Sequence, residues 1–160
     1  MLDSAHVLPP AAREPYSYRA DSSVPPFPDD RPIIVFDGHC ALCSGWARFV
    51  LRFDRARRFR LLTAQSPLGR ALYVHYGLEP SDYETNILLT EGRAWCKSEA
   101  SIRMAEGLGW PWALARVFRV LPLPHRDRLY GTLARNRLRV FGPRAACYVP
   151  GPEHRDRFLA

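Results

Sequence analysis

Ile33-Ile34-Val35-Phe36-Asp37-Gly38-His39-Cys40-Ala41-Leu42-Cys43 decides how this chain is read. Four apolar, mostly β-branched residues predict a buried strand. Asp37-Gly38 ends it with turn chemistry, and a Cys-x-x-Cys pair follows at the mouth of an amphipathic run. Strand, tight turn, then a helix opening on two cysteines is the layout of a thioredoxin-like redox site. Free backbone N–H groups and the positive end of the helix dipole stabilise a thiolate at that position. The spacing lets the second thiol reach back and close a disulfide over a short loop. On this reading Cys40 is the more exposed, more acidic thiol and Cys43 the deeper one.

Working outward, Trp46, Phe49, Val50 and Phe53 recur at helical steps, with Arg48, Arg52 and Arg55 on the opposite face. Phe59–Leu62 predicts a second strand. Ser66-Pro67 is a helix start, a capping serine before a first-turn proline, and Gly77 is its stop. Residues 86–90 and 93–96 flank Glu91-Gly92 and read as a hairpin. Ser98 is then placed as the cap of a helix through Ile102, Met104, Ala105 and Leu108, ended by Gly109. The order β-α-β-α-β-β-α is the minimal thioredoxin topology, within an α/β fold class. Helical pieces over Trp112–Leu121 and His125–Arg137 extend it, and residues 138–160 read as irregular. Before the core, six prolines within residues 1–31 predict a flexible tail. The domain proper is expected over 32–160.

Composition bounds the function. A hydrophobic content of 47% in 160 residues suits one ordinary globular domain. No apolar run reaches the ~20 residues of a membrane span, and no signal-peptide pattern opens the chain. The expectation is a cytoplasmic protein without membrane partners, in which four cysteines point to catalysis or metal. The net charge of +7 divides unevenly, −2 over residues 1–32 and +9 over the remainder. Every basic residue but Lys97 is arginine, spread over several elements with no nucleic-acid reading motif.

Several separated stretches carry a family resemblance: Phe36 to Cys43, Ala64-Gln65-Ser66-Pro67-Leu68-Gly69, Lys97-Ser98-Glu99-Ala100, Ala134-Arg135-Asn136-Arg137, Phe141-Gly142 and Cys147. Together they resemble the DCC family of thiol-disulfide oxidoreductases over about Pro32 to Leu159. The resemblance implies disulfide exchange on a thioredoxin-like fold, without naming a substrate. This chain departs from the family in having His39 where an acidic residue is usual, and Ala41 where proline is often found. A protonated His39 would lower the thiol pKa of Cys40. No proline stands in Tyr83–Ile87, where thioredoxins carry a cis-proline that binds substrate backbone.

The candidate catalytic residues are therefore Cys40, Cys43, Asp37 and His39. Asp37 reads equally as a proton-transfer group for the buried thiol and as a turn residue bonding backbone N–H groups. Ser98 and Glu99 resemble a family motif that can face the cysteines, although helix capping explains Ser98 alone. Arg135, Asn136 and Arg137 are either a clamp for an anionic or thiol substrate or the tie between C-terminal helix and core. No cofactor is expected. The expected partners are a disulfide-containing protein or small-thiol substrate and a separate electron donor. The alternative is a metal-binding or interaction module, with zinc held by Cys40 and Cys43 plus His39, Cys96 or Cys147. Zinc sites usually supply a second paired motif, and the sequence has none.

Overall fold

Four short strands make one sheet in the order β2-β1-β3-β4. The computed structural model describes residues 12–81, 83, 85–143 and 145–159. β1 (Ile33–Phe36) pairs in parallel with β2 (Arg60–Thr63), Ile34 opposite Leu61, and antiparallel with β3 (Ile87–Thr90), Ile34 opposite Leu88. β4 (Arg93–Cys96) closes the hairpin predicted around Glu91-Gly92. Both turn residues have positive φ, 51° and 73°, which the right-handed twist of the flanking strands favours and glycine accommodates best.

Because β1 is central, it is covered on both faces. Ile33 and Val35 point one way, into a cluster with Leu68, Leu72 and Tyr73 of α2 (Pro67–His75). Ile34 points the other way, towards Val50 of α1 (Ala41–Phe53) and Ala100 and Met104 of α3 (Lys97–Gly107). Phe36 lies with Cys40, Cys43, Ala47, Leu51 and Leu61 in a third cluster directly under the site. This is the thioredoxin-like α/β core, with helical segments appended after α3.

Some local expectations change. The buried face of α1 is Cys43, Ser44, Ala47, Val50 and Leu51. Trp46, Phe49 and Phe53 lie beside that face, and Trp112 packs against Phe49 and Phe53 at ring distances of 4.7 and 4.8 Å. The segment Trp112–Val120 is a 3-10 helix, and α4 (Leu123–Phe141) is longer than expected at both ends. Arg119 ties that 3-10 helix to α3 through Glu99 and Glu106, at 2.9 and 2.5 Å.

The flexible-tail reading of residues 1–31 is corrected for residues 12–31; residues 1–11 lie outside the described residues. Ser17–Ala20 forms a 3-10 turn, and Tyr18 is buried against Val24, Phe27 and Tyr76. Its hydroxyl donates to Asp29 over 2.8 Å, and the Tyr16 N–H donates to the hairpin carbonyl of Gly92 over 2.9 Å. The prolines prevent regular elements there without preventing docking, because buried aromatic area does not need a periodic backbone. The C-terminal end is likewise anchored. Leu159 N–H donates to Leu61 O over 2.9 Å, and buried Arg157 pairs with buried Asp54.

Candidate functional site: a cysteine pair beside an apolar cavity

Cys40 is the N-cap of α1, with extended backbone (φ −91°, ψ 125°), and its sulfur accepts the Cys43 N–H over 3.3 Å. Both cysteines are free thiols. The Cys43 thiol hydrogen-bonds the Cys40 sulfur, and this bond lowers the Cys40 pKa to about 6 against the opposing effect of burial, with help from the Cys43 N–H. Arg137 also lowers it, and Asp37 raises it. Cys43 moves the other way: its bond to Cys40 and its burial hold the proton on. One sulfur of the pair is thus prepared as a thiolate and the other kept as a thiol.

The exposure expectation is corrected. Cys40 is 0% exposed and Cys43 7%. The C-terminal segment causes the difference, since it crosses the outer side of the turn. Cys40 bridges Pro143, Ala41 N–H reaches Gly142 O at 3.4 Å, and Tyr148 N–H donates to Gly38 O at 2.9 Å. Tyr148 also meets the Phe36 ring edge-on at 5.7 Å. A side chain at Gly38 has no room, because a Cβ there would lie 2.5 Å from Cys147 Sγ. Cys147 therefore sits against the turn, although nothing in its sequence spacing placed it there.

Asp37 is buried and does the work of a turn residue: its Oδ1 accepts His39 N–H at 2.9 Å and Gln65 Nε2 at 2.6 Å. Its other oxygen lies 3.6 Å from Arg137 Nη2. It thereby brings a buried carboxylate to the pair, where it opposes the thiolate. The His39 side chain is exposed, and the charges acting on the Cys40 sulfur are those of Asp37 and Arg137. Gln65 completes the loop by accepting Gly38 N–H at 3.0 Å. Sequence reading quoted Gln65 only within a motif; a glutamine's paired donor and acceptor suit it to brace a turn.

The remaining candidates separate. Ser98 does not cap α3: the N-cap is Cys96, and Thr85 Oγ1 accepts the Lys97 N–H at 2.8 Å instead. Ser98 hydroxyl bonds Asp127 of α4. Glu99 receives Arg103, Arg119 and Arg126 at 2.9, 2.9 and 3.2 Å. Burial pushes its carboxyl pKa up, but the hydrogen bonds from Arg119 and Arg126 outweigh this and leave it below the usual range. Of the arginine motif, Arg135 is exposed and Asn136 bonds Thr132 O within the helix at 2.8 Å. Arg137 alone is buried beside the cysteines. Cys96 is distant in role, its thiol pushed up to about 12 by burial. Among the described residues no group of three His, Cys, Asp or Glu side chains is placed to hold a metal ion.

A cavity of about 500 Å³ opens between α1, α3, the 3-10 helix Trp112–Val120 and α4, and Cys43 is part of its wall. Leu42, Trp46, Ile102, Phe118, Leu129 and Leu133 are among its apolar lining, and Ser98, Arg126 and Arg137 among its polar members. Sequence reading names Leu42 and Ile102 within their own elements, but the meeting of these elements, far apart in the chain, escapes it. Trp46 reads as core from the sequence; its Nε1 donates to Met104 Sδ at 3.1 Å.

No described helix is long and apolar enough to cross a membrane. Residues 34–143 match the family model of DCC1-like thiol-disulfide oxidoreductases. The chain is 32% identical to the protein YuxK of Bacillus subtilis over 127 residues, covering 79% of this chain and 93% of that protein. It is 38% identical to a chloroplastic DCC family protein of Arabidopsis thaliana over 120 residues, covering 74% of this chain and 70% of that one. No solved structure matches. A match spanning β1 to the segment over Cys40, joined to a thiolate–thiol pair at a helix N-terminus, has one reading: this chain belongs to the DCC1-like thiol-disulfide oxidoreductase family.

Proposed function

We propose that the protein exchanges disulfides through Cys40 and Cys43, in the net direction of substrate reduction within a reducing, cytoplasmic compartment. The observation that carries this reading is the sulfur of Cys40 at the N-cap of α1, bonded by the Cys43 N–H at 3.3 Å, with its pKa lowered to about 6 by the Cys43 thiol. At neutral pH that sulfur is a thiolate, the form that attacks disulfides. Cys40 breaks the substrate S–S bond and releases one thiolate, leaving a mixed disulfide on its own sulfur. Cys43 then gives up its proton and attacks Cys40 Sγ, releasing the second thiolate and forming the Cys40–Cys43 disulfide. A dithiol donor returns the two electrons. Because Gly142, Pro143 and Tyr148 close the outer side of Cys40, substrate approaches past Cys43, from the cavity. Asp37, Gln65 and Arg137 position the turn and set the charge around the sulfur.

Cys43→Ser accumulates mixed disulfides that mass spectrometry resolves, while Cys40→Ser traps none. A metal module behaves differently: either substitution removes one ligand and loosens the fold equally. Equal behaviour of both variants, with stoichiometric zinc in the wild-type protein purified without chelator, sinks the exchange reading.

A further inference from the structure

We infer that the cavity beside Cys43 is the substrate subsite and that it takes a small, uncharged disulfide bearing an apolar arm. This rests on the exchange chemistry proposed above and names its substrate class. At about 500 Å³ the cavity is within the size of small-molecule sites, roughly 300–1,000 Å³. Leu42, Trp46, Ile102, Phe118, Leu129 and Leu133 line it, and the thiol-bearing Cys43 forms part of the same wall. An arm seated there holds its sulfur against Cys43, the member of the pair on the wall, while Cys40 is fully buried and bonded to it.

The charges argue against an anionic substrate. Arg126 lies 3.2 Å from Glu99, and Arg137 3.6 Å from Asp37, so each cation on the wall already faces a carboxylate. A peptide-like disulfide such as oxidised glutathione would bring amides and carboxylates into a chamber whose polar side chains are largely engaged, Ser98 on Asp127, Ser101 on Lys97 O and Tyr130 with the Asn86 N–H, at a desolvation cost. The mouth favours the opposite chemistry. Phe118 is 65% exposed and Leu129 66%, apolar surface that an entering arm covers. With RS–SR in place, Cys40 thiolate breaks the S–S bond and expels one RS⁻, which takes a proton from water. Cys43 expels the second as the Cys40–Cys43 disulfide forms, so the pair is oxidised by two electrons and RS–SR reduced to two RSH.

The test is single-turnover oxidation of the prereduced full chain, by dibenzyl disulfide and by bis(2-hydroxyethyl) disulfide. Each rate is divided by that of free dithiothreitol with the same disulfide, which removes intrinsic reactivity. The benzyl compound should be favoured by about tenfold or more, with a rate that saturates with concentration. Leu129→Asp and Leu133→Asp, at partly exposed lip positions, should erase the preference. Val140→Asp, on α4 outside the cavity, should retain it. Benzyl methyl sulfide, which has the arm but no S–S bond, should change the tryptophan fluorescence of the wild type and not of the lip variants. A normalised ratio near one while the pair still oxidises overturns the apolar subsite and spares the exchange chemistry. Binding of the sulfide with oxidation by neither disulfide overturns the exchange reading and, with it, the assignment of a substrate.

Discussion

β1 and the 3-10 helix Trp112–Val120 are both apolar in sequence, and the fold treats them oppositely. Ile33, Ile34, Val35 and Phe36 are all 0% exposed, whereas no residue of Trp112–Val120 is buried. The first is held between two layers of helices, and its side chains supply the core that positions the cysteine turn. The second is attached along one side, by Trp112 against α1 and by Arg119 on Glu99 and Glu106, with Val117 and Phe118 left towards water. Apolar residues in this chain therefore do two jobs. One set fixes the sulfur geometry, and the other shapes the space next to it.

The comparison is sharpest in stability. Phe36 is fully enclosed and touches the rings of Tyr148 and Phe158. Phe36→Ala should cost about 3–5 kcal/mol in urea unfolding, through lost burial and a cavity under Cys40. Phe118→Ala should cost no more than about 0.5 kcal/mol, as for an exposed position. Comparable losses at the two sites would show that something covers the 3-10 helix in solution.

Tyr18 tests whether the N-terminal stretch belongs with the buried set. It is 3% exposed and bonded to Asp29. Tyr18→Ala should destabilise by about 2–4 kcal/mol, measured by thermal or urea unfolding. A flexible tail predicts no change, so the melting temperature decides between the two descriptions.

What the sequence disclosed follows the range of the interactions. The strand, the turn and the capping position of Cys40 are set by residues within eleven positions of one another, and short-range periodicity and turn chemistry expose them. The hairpin at Glu91-Gly92 is legible for the same reason. Other features depend on contacts between distant segments. Tyr18 docks across a proline-rich stretch, Thr85 rather than Ser98 accepts the first N–H of α3, and Gly142 and Pro143 return over a thiol a hundred residues earlier. The cavity wall is assembled from four helical segments. Local patterns carry no record of such meetings. The misassigned exposure of Cys40 is of this kind, because a helix N-terminus looks open until another segment covers it.

The smallest effect concerns the charges around the pair. The Cys43 thiol bond lowers the Cys40 pKa most, burial opposes it, Asp37 adds to that opposition and Arg137 adds to the lowering. Asp37→Asn should therefore move the midpoint of Cys40 alkylation below that of the wild type, and Arg137→Met should move it above. Each shift should be a fraction of a pKa unit. Cys43→Ala, which removes the largest contribution, should raise it by more. The same depression has a consequence for stability. A thiol titrating at about 6 when folded and about 9 when unfolded binds fewer protons folded than unfolded between those values. Its stabilising contribution is then complete above pH 9 and lost as pH falls through about 6, so unfolding free energy should rise with pH across that window. Cys40→Ser removes the titrating group, and its unfolding curve should lose that part of the rise. Opposite movements in Asp37→Asn and Arg137→Met separate an electrostatic role from a structural one, because loosening the turn in either variant would raise the midpoint in both.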